Sequence, residues 1–132
     1  MPVQTERYER LLQGVASATN VLLTSLNYRR SIDRALAILG EATQVDRLYI
    51  FETHTHPVEK MPAMSQRWEW AAPGVTPEID NPELQNLLYR DSFPRWYKEL
   101  SQSQPIFGPV CDFPPEEKEI LEPQGILSII IQ

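Results

Sequence analysis

The sequence predicts an α+β domain in which helices pack against one antiparallel β-sheet. Two amphipathic helical patterns come first, and segments of alternating or continuous β-formers follow them. Helices and strands are therefore grouped rather than alternating regularly, which favours an α+β fold over a doubly wound nucleotide-binding fold. At 132 residues, the chain has the size of one ordinary domain.

Two helices are predicted at the N-terminus. Apolar residues recur at spacings of three and four from Tyr8 to Leu26, which lines one face of a long amphipathic helix. A second helix begins near Ser31, whose hydroxyl suits an N-cap, and carries an apolar stripe from Ile32 to Ala42. We expect the two helices to pack as neighbours.

Two strands joined by a loop are predicted next. The segment from Gln44 to Glu52 is rich in β-formers, THTHPVEKMP is polar and contains proline, and AMSQRWEWA alternates again. Because side chains alternate across a strand, Gln66, Trp68 and Trp70 should share one face of the second strand. We expect that face to pack against the core or to line a pocket.

A long crossing loop follows the second predicted strand. Pro73, Pro77 and Pro82 exclude a continuous helix or a central strand here, because proline lacks the backbone N–H that both need. Within this loop, residues 83–89 are predicted to form a short helix.

A further helix and a short strand are predicted after the loop. Residues 92–104 carry apolar side chains at helical spacing, and Ser92 can cap this helix with Pro94 in its first turn. The segment QPIFGPVCDFP then predicts a short strand that is interrupted by Gly108 and Pro109.

The C-terminal segment predicts one more helix and one more strand. Pro114 and Pro115 start a short helix, and its acidic residues suit the positive end of the helix dipole. The acidic residues are Glu116, Glu117 and Glu119, and we interpret them as a solvent-exposed face of this helix. The nearly unbroken apolar run from Ile126 to Ile131 is typical of a central strand that is covered on both faces.

The composition limits the partners and the compartment. A net charge of −6 and a pI near 4.9 argue against a nucleic-acid partner or an anionic membrane surface, both of which favour a basic face. No stretch approaches the roughly 20 apolar residues of a membrane span, and the N-terminus lacks an apolar signal segment. Cys111 is the only cysteine, so we expect a reducing, cytoplasmic setting.

Few residues suggest catalysis or a metal site. The five glycines are scattered, and Cys111 with a histidine would still need a third, orienting group. His54 and His56, with Glu52 nearby, are ligand types for zinc or iron. Two histidines do not make a closed site, so we interpret HTH as a solvated loop and predict neither an enzyme nor a metal site.

Four segments carry a resemblance to a known family. The match runs from about Leu11 to the end of the chain, and its most specific parts are ALxILGEATxVDRLYIF, SQRWEW and DFPPEEKEILEPQGILSI. Together with LLQGVASATNVLL, they resemble a GAF domain of the kind found in cyanobacterial and other bacterial sensor histidine kinases and cyclases.

The resemblance implies a domain layout. It predicts a GAF/PAS-like antiparallel sheet flanked by helices, with residues 1–28 as an N-terminal signalling and dimerisation helix and residues 29–132 as the GAF domain. GAF domains usually continue through a further hairpin and a closing helix, and nothing here matches those parts. The chain therefore resembles a C-terminally truncated GAF domain, in which the unpaired edge from Ile126 to Ile131 should favour self-association.

The resemblance also implies a regulatory role. Similar domains act as sensory modules of signal-transduction proteins such as two-component histidine kinases, often as parallel homodimers, and some bind a small molecule. The alternative is a ligandless dimerisation spacer. Aromatic residues of this kind more often belong to the plain core, and the candidate pocket residues are Trp68, Trp70, Trp96 and Tyr97.

The cofactor is left open by the sequence. Relatives that attach a bilin covalently use a Cys-His pair, whereas Cys111 is followed by Asp112. The Asn-Lys-x-x-x-Phe-x-x-x-Asp-Glu signature of cyclic-nucleotide binding is also missing from the sequence. Covalent bilin attachment is therefore not expected, and the ligand class is unknown.

Overall fold

The structure, a computed structural model, describes the backbone of residues 2–132 and the side chains of residues 4–132, and it has the predicted α+β fold. The α-helices in this range are α1 (Pro2–Thr24), α2 (Tyr28–Thr43), α3 (Tyr89–Ser92), α4 (Pro94–Ser101) and α5 (Pro115–Leu121). The strands are β1 (Arg47–Thr55), β2 (Pro62–Ala71), β3 (Leu87–Leu88), β4 (Ile106–Pro109) and β5 (Ser128–Ile131). Short 3₁₀ turns cover Pro82–Leu84, Val110–Asp112 and Glu122–Gln124.

The strands form two sheets, so the prediction of a single sheet is wrong. The first sheet has the order β1-β2-β3, and its antiparallel β2–β3 pair sets Ala63 opposite Leu88. The second contains β4 and β5, which are antiparallel with Ile106 opposite Ile131. Strand β3 replaces part of the helix predicted for residues 83–89, and its two residues are too few for a period of two to be recognised.

The chain divides into two compact units. Unit 1 contains residues 1–51 and 66–80, and unit 2 contains residues 52–65 and 81–132. Strands β1 and β2 each contribute residues to both units.

In unit 1, small residues allow α1 and α2 to pack closely along each other. A Cβ atom on Gly14 would lie 2.5 Å from the Cβ of Ala42, so a larger residue at this position would push the helices apart. Ala18 and Ala35 are also buried. On α2, the ring of Trp70 occupies the space into which a side chain at Gly40 would project.

Helix α2 begins three residues earlier than predicted. Its N-cap is Asn27, whose Oδ1 accepts a hydrogen bond from the backbone N–H of Arg30 at 3.3 Å. Ser31 lies inside the helix, is buried, and donates its hydroxyl proton to the carbonyl of Asn27 at 2.8 Å. The predicted Ser31 cap is therefore wrong, because asparagine caps a helix as well as serine does and occurs first.

The connection between β1 and β2 is shorter than the predicted loop, because both strands extend into it. The backbone N–H of His56 donates to the carbonyl of Met61 at 2.8 Å, which closes the turn. Inside the turn, Nδ1 of His56 accepts the N–H groups of Val58 at 3.1 Å and Glu59 at 3.0 Å. His54 lies within β1 rather than in a loop.

Unit 2 has its own apolar core. The largest fully buried apolar side chains in it are Phe93, Ile106 and Val110. Helix α4 starts at Pro94, as the first-turn proline predicted, but Phe93 occupies the N-cap position and Ser92 ends α3. The predicted Ser92 cap is therefore wrong.

Glu117 is the centre of the polar contacts in unit 2, and the solvated position predicted for it is wrong. Its side chain is 0% exposed and accepts Nε of Arg95 at 3.0 Å, Nη2 of Arg95 at 2.6 Å, and Nε1 of Trp96 at 2.7 Å. Leu121 lies one turn further along α5 and is also buried, so Glu117 belongs to the inward face of this helix. The hydrogen bond to Glu117 raises the pKa of Arg95.

The C-terminal strand is not a covered central strand, so that prediction is wrong as well. Among the described residues, β5 pairs with β4, and its side chains alternate between half-buried and exposed positions. Ile130 is 64% exposed and stands opposite Phe107, which is 67% exposed. One face of this two-stranded sheet is therefore apolar and open to solvent.

We predict that Arg95→Met destabilises the protein by about 3 kcal/mol, because it leaves the buried carboxylate of Glu117 without its cation. The matched control is Arg90→Met, which removes exposed ion pairs with Glu59 and Asp91 and should cost less than about 1 kcal/mol. Urea denaturation followed by circular dichroism measures both free energies of unfolding. Equal losses in the two variants would contradict a central role for Glu117.

Candidate functional site

A small cleft in unit 2 is lined by aromatic and hydroxyl side chains, and we call it the tyrosine cleft. Its volume is about 210 Å³. One lining residue comes from strand β1 and one from the first position of α3. The other three come from α4. The lining residues are Thr53, Tyr89, Tyr97, Leu100 and Ser101.

Hydrogen bonds and ring contacts hold the walls of the tyrosine cleft. The hydroxyls of Thr53 and Tyr89 lie 2.7 Å apart, and either of them can be the donor. The rings of Tyr89 and Tyr97 have centroids 5.2 Å apart and an interplanar angle of 50°. Ser101 donates its hydroxyl proton to the carbonyl of Tyr97. Tyr89 is buried, whereas Tyr97 is 44% exposed and forms the open side.

The chemistry of the tyrosine cleft is that of a neutral, partly aromatic pocket. None of its lining side chains is charged, so it offers no counter-charge to an anion. Its volume corresponds to about seven water molecules at roughly 30 Å³ each, less than the roughly 300 Å³ at which pockets for drug-sized ligands begin. The cleft therefore suits a small molecule without net negative charge, held by ring faces and hydroxyl groups.

The aromatic residues singled out in the sequence are distributed over both units. Tyr97 lines the tyrosine cleft, whereas Trp96 is 4% exposed and packs on Phe93, with ring centroids 4.2 Å apart. Trp68 and Trp70 belong to unit 1, where both are half-buried and Trp70 lies against Gly40. The cleft residues Thr53 and Tyr89 were not singled out in the sequence.

Unit 1 contains a buried tyrosine hydroxyl, that of Tyr49. The hydroxyl oxygen of Tyr49 is buried and has no hydrogen-bond partner among the described residues. Burial raises the pKa of Tyr49 to about 12, Arg47 acts in the opposite direction, and the carboxylates of Glu69 and Glu78 raise the pKa further. The guanidinium carbon of Arg47 lies 5.8 Å from the centroid of the Tyr49 ring.

Glu69 fixes the crossing loop that follows β2. Its carboxylate accepts the backbone N–H of Glu78 at 2.8 Å and that of Ile79 at 3.0 Å. Glu78 in turn pairs with Arg47 at 3.6 Å, and both side chains are largely buried. The proline-rich loop is thus held by a carboxylate that accepts two backbone N–H groups, which would otherwise lack a secondary-structure partner.

Hydrogen bonds within the protein occupy both nitrogens of the His54 ring. Nε2 of His54 lies 2.7 Å from the hydroxyl of Ser65, and Nδ1 lies 3.0 Å from the carbonyl of Thr55. The same serine hydroxyl accepts the N–H of Asn86 at 2.8 Å, which joins β2 to the residue before β3. Within residues 4–132, no three His, Cys, Asp or Glu side chains gather as a metal site would require. Cys111 is exposed, and its Sγ lies 3.7 Å from Asp112 Oδ1.

None of the helices in the described part of the chain has both the length and the apolar character needed to cross a bilayer.

The comparison with curated proteins found a match to a regulatory histidine kinase. The chain is 41% identical over 129 residues to the methanogenesis regulatory histidine kinase FilI of Methanothrix harundinacea (strain 6Ac). That match takes in 98% of this chain and spans only 14% of the kinase. No family model matches the chain, and no solved structure matches it. The chain is thus similar to one segment of a regulatory kinase.

We predict that Tyr49→Phe leaves stability at neutral pH unchanged or raises it by up to about 1 kcal/mol, because the deleted hydroxyl is buried without a partner. The wild type should lose stability as the pH rises from about 10, where an unfolded tyrosine ionises, towards about 12, because only the unfolded state gives up this proton. Tyr49→Phe should lack that loss.

Urea denaturation at a series of alkaline pH values measures the Tyr49 effect, and Tyr28→Phe, which removes an exposed hydroxyl, is the control. An identical pH response of Tyr49→Phe and wild type would refute the assignment.

Proposed function

We propose that this chain is a regulatory sensory domain of a signal-transduction protein such as a two-component histidine kinase, and that it has no catalytic activity of its own. The observation that carries the proposal is the similarity to a regulatory kinase along 98% of the chain, confined to 14% of the kinase. A segment that small fits a regulatory module within a larger signalling protein.

The fold supports a GAF-type assignment for this module. A long N-terminal helix precedes the strands of an antiparallel sheet, and short helices lie between the later strands. In this proposal residues 1–28 form the signalling helix and residues 29–132 the sensory domain.

The tyrosine cleft is the proposed sensory site. Its ring faces and paired hydroxyls are suited to a small neutral or cationic molecule, since Tyr97 leaves one side open and the lining carries no charge. A ligand seated against Tyr97 would also contact α4, the helix that carries Arg95 and Trp96. Ligand binding would therefore act on the same helix that Glu117 holds in place.

A ligandless dimerisation spacer is the second candidate, and the surface of α1 favours a dimer in either case. Four large side chains on α1 are exposed at heptad spacing, and we call them the outer stripe. They are Tyr8 (70% exposed), Leu12 (66%), Val15 (55%) and Leu22 (49%). Gly14 is buried against α2, and the outer stripe lies about 100° further round α1, so it flanks the α2 contact and stays exposed.

A second copy of this chain is the partner that best fits the outer stripe. Spacings of four, three and seven residues repeat with the heptad period of a two-stranded coiled coil, with Thr19 at the position between Val15 and Leu22. We propose a parallel homodimer in which the two outer stripes face each other.

We predict that a small molecule co-purifies with the chain and dissociates on denaturation, which native mass spectrometry detects as an extra mass. Tyr97→Ala should abolish this mass because it removes the open wall of the tyrosine cleft. Tyr28→Ala, which truncates an exposed tyrosine on α2, should retain it. Bare wild-type protein, or a mass that persists in Tyr97→Ala, would favour the ligandless spacer.

We predict that the chain is dimeric and that Val15→Glu makes it monomeric, because charges placed in a coiled-coil seam are desolvated and repel each other. Light scattering after size-exclusion chromatography measures the mass. In a Cys111→Ser background, Tyr8→Cys should form an interchain disulfide, since a parallel register brings identical positions together. Ser17→Cys, outside the stripe, should not. A monomeric wild type, or equal cross-linking at both positions, would rule out this interface.

A further inference from the structure

We propose that the chain has a second ligand site, for a small oxyanion, in a cleft between the C-terminal end of α1 and the first turns of α2. We call it the arginine cleft, and it lies entirely within unit 1. Its volume is about 470 Å³. The lining residues are Asn20, Val21, Thr24, Ser25, Arg30, Ser31 and Arg34.

Two uncompensated cations line the arginine cleft. Arg30 and Arg34 lie one helical turn apart, and neither guanidinium takes part in an ion pair or hydrogen bond with any other described side chain in residues 4–132. Like charges at this spacing repel each other, so an anion bound between them would relieve an unfavourable pair. By contrast, Arg47, Arg90 and Arg95 each have a carboxylate partner.

The rest of the lining is polar and carries no opposing charge. No carboxylate lines the arginine cleft, and Asp33, between the two arginines in sequence, is not among the lining residues. The first turn of α2 already uses its Arg30 N–H to bind Asn27. The attraction for an anion therefore comes from the two guanidinium groups, whose planar forks match the oxygens of phosphate or carboxylate.

The arginine cleft has room for a small oxyanion that carries several atoms, such as a polyphosphate or a dicarboxylate. Its volume corresponds to about 16 water molecules at roughly 30 Å³ each, and it falls within the roughly 300–1,000 Å³ of small-molecule pockets. Hydroxyl and amide side chains, such as Thr24 and Asn20, would face the body of the ligand. The chain carries a net charge of −6, so a specific local site is needed to retain an anion. This inference is independent of the proposed function, because it uses none of the residues of the tyrosine cleft or the outer stripe.

Isothermal titration calorimetry at an ionic strength of about 0.1 M tests the proposal, with inorganic pyrophosphate and succinate as separate probes for phosphate and carboxylate chemistry. We expect saturable binding of at least one probe to the wild type, with one site per chain. Arg30→Gln with Arg34→Gln should weaken that binding by at least about tenfold. Arg34→Lys should give an intermediate loss, because it keeps the charge but not the planar fork.

The matched control is Arg7→Gln with Arg10→Gln, which removes the same charge from exposed positions on α1, at least ten residues before the first lining residue. Its affinity for the probe should stay within about twofold of wild type, since exposed charges more than about 10 Å from the cleft are largely screened at this ionic strength. The site is refuted if neither probe binds the wild type saturably, or if both double variants weaken binding equally. All four guanidinium groups are exposed, so we expect every variant to fold. Thermal unfolding followed by circular dichroism checks that each one does.

Discussion

The buried carboxylate of Glu117 is the interaction on which unit 2 depends. A fully buried charge is tolerated only when it is paired and hydrogen-bonded, and here three donors from consecutive residues of α4 meet it. Arg95 and Trp96 thereby fix both the rotation of α4 and its distance from α5. With Trp96 turned inward, the next residue, Tyr97, faces the tyrosine cleft, because successive residues on a helix point in different directions. The shape of the candidate site is therefore set by a contact outside it.

Local patterns predicted the parts of the fold that depend on local physics. The apolar spacing in α1 and α2, the prolines that start α4 and α5, and the alternation in β2 each predicted an element that the structure contains. The errors arose where two signals competed or where partners were distant. Asn27 precedes Ser31 in the chain and forms the N-cap of α2. Two-residue β3 depends on its pairing with β2. Glu117 was taken for a surface residue because its partner, Arg95, lies 22 positions away in the sequence.

The candidate site was predicted less completely than the fold, for a similar reason. Tyr97 was identified as an aromatic residue on a helix, but Thr53 and Tyr89 meet across 36 positions of sequence. Alternation along β2 placed Trp68 and Trp70 on one face, but both side chains are only half-buried and neither belongs to the buried core. Trp96 illustrates the limit, since its burial is explained by an acidic residue on another helix. A pocket assembled from several elements is visible only once those elements have been placed together.

The hydroxyl pair of Thr53 and Tyr89 has a consequence for the molecules that the tyrosine cleft can accept. Two hydroxyl groups 2.7 Å apart share a single hydrogen bond, so one of the two protons is not used between them. If threonine donates, the phenolic proton is free to turn outward, and if tyrosine donates, the threonine proton is free. The pair can therefore reverse its polarity by rotating two O–H bonds, with no displacement of heavy atoms. The cleft wall can therefore donate a hydrogen bond to a carbonyl oxygen or accept one from an amine.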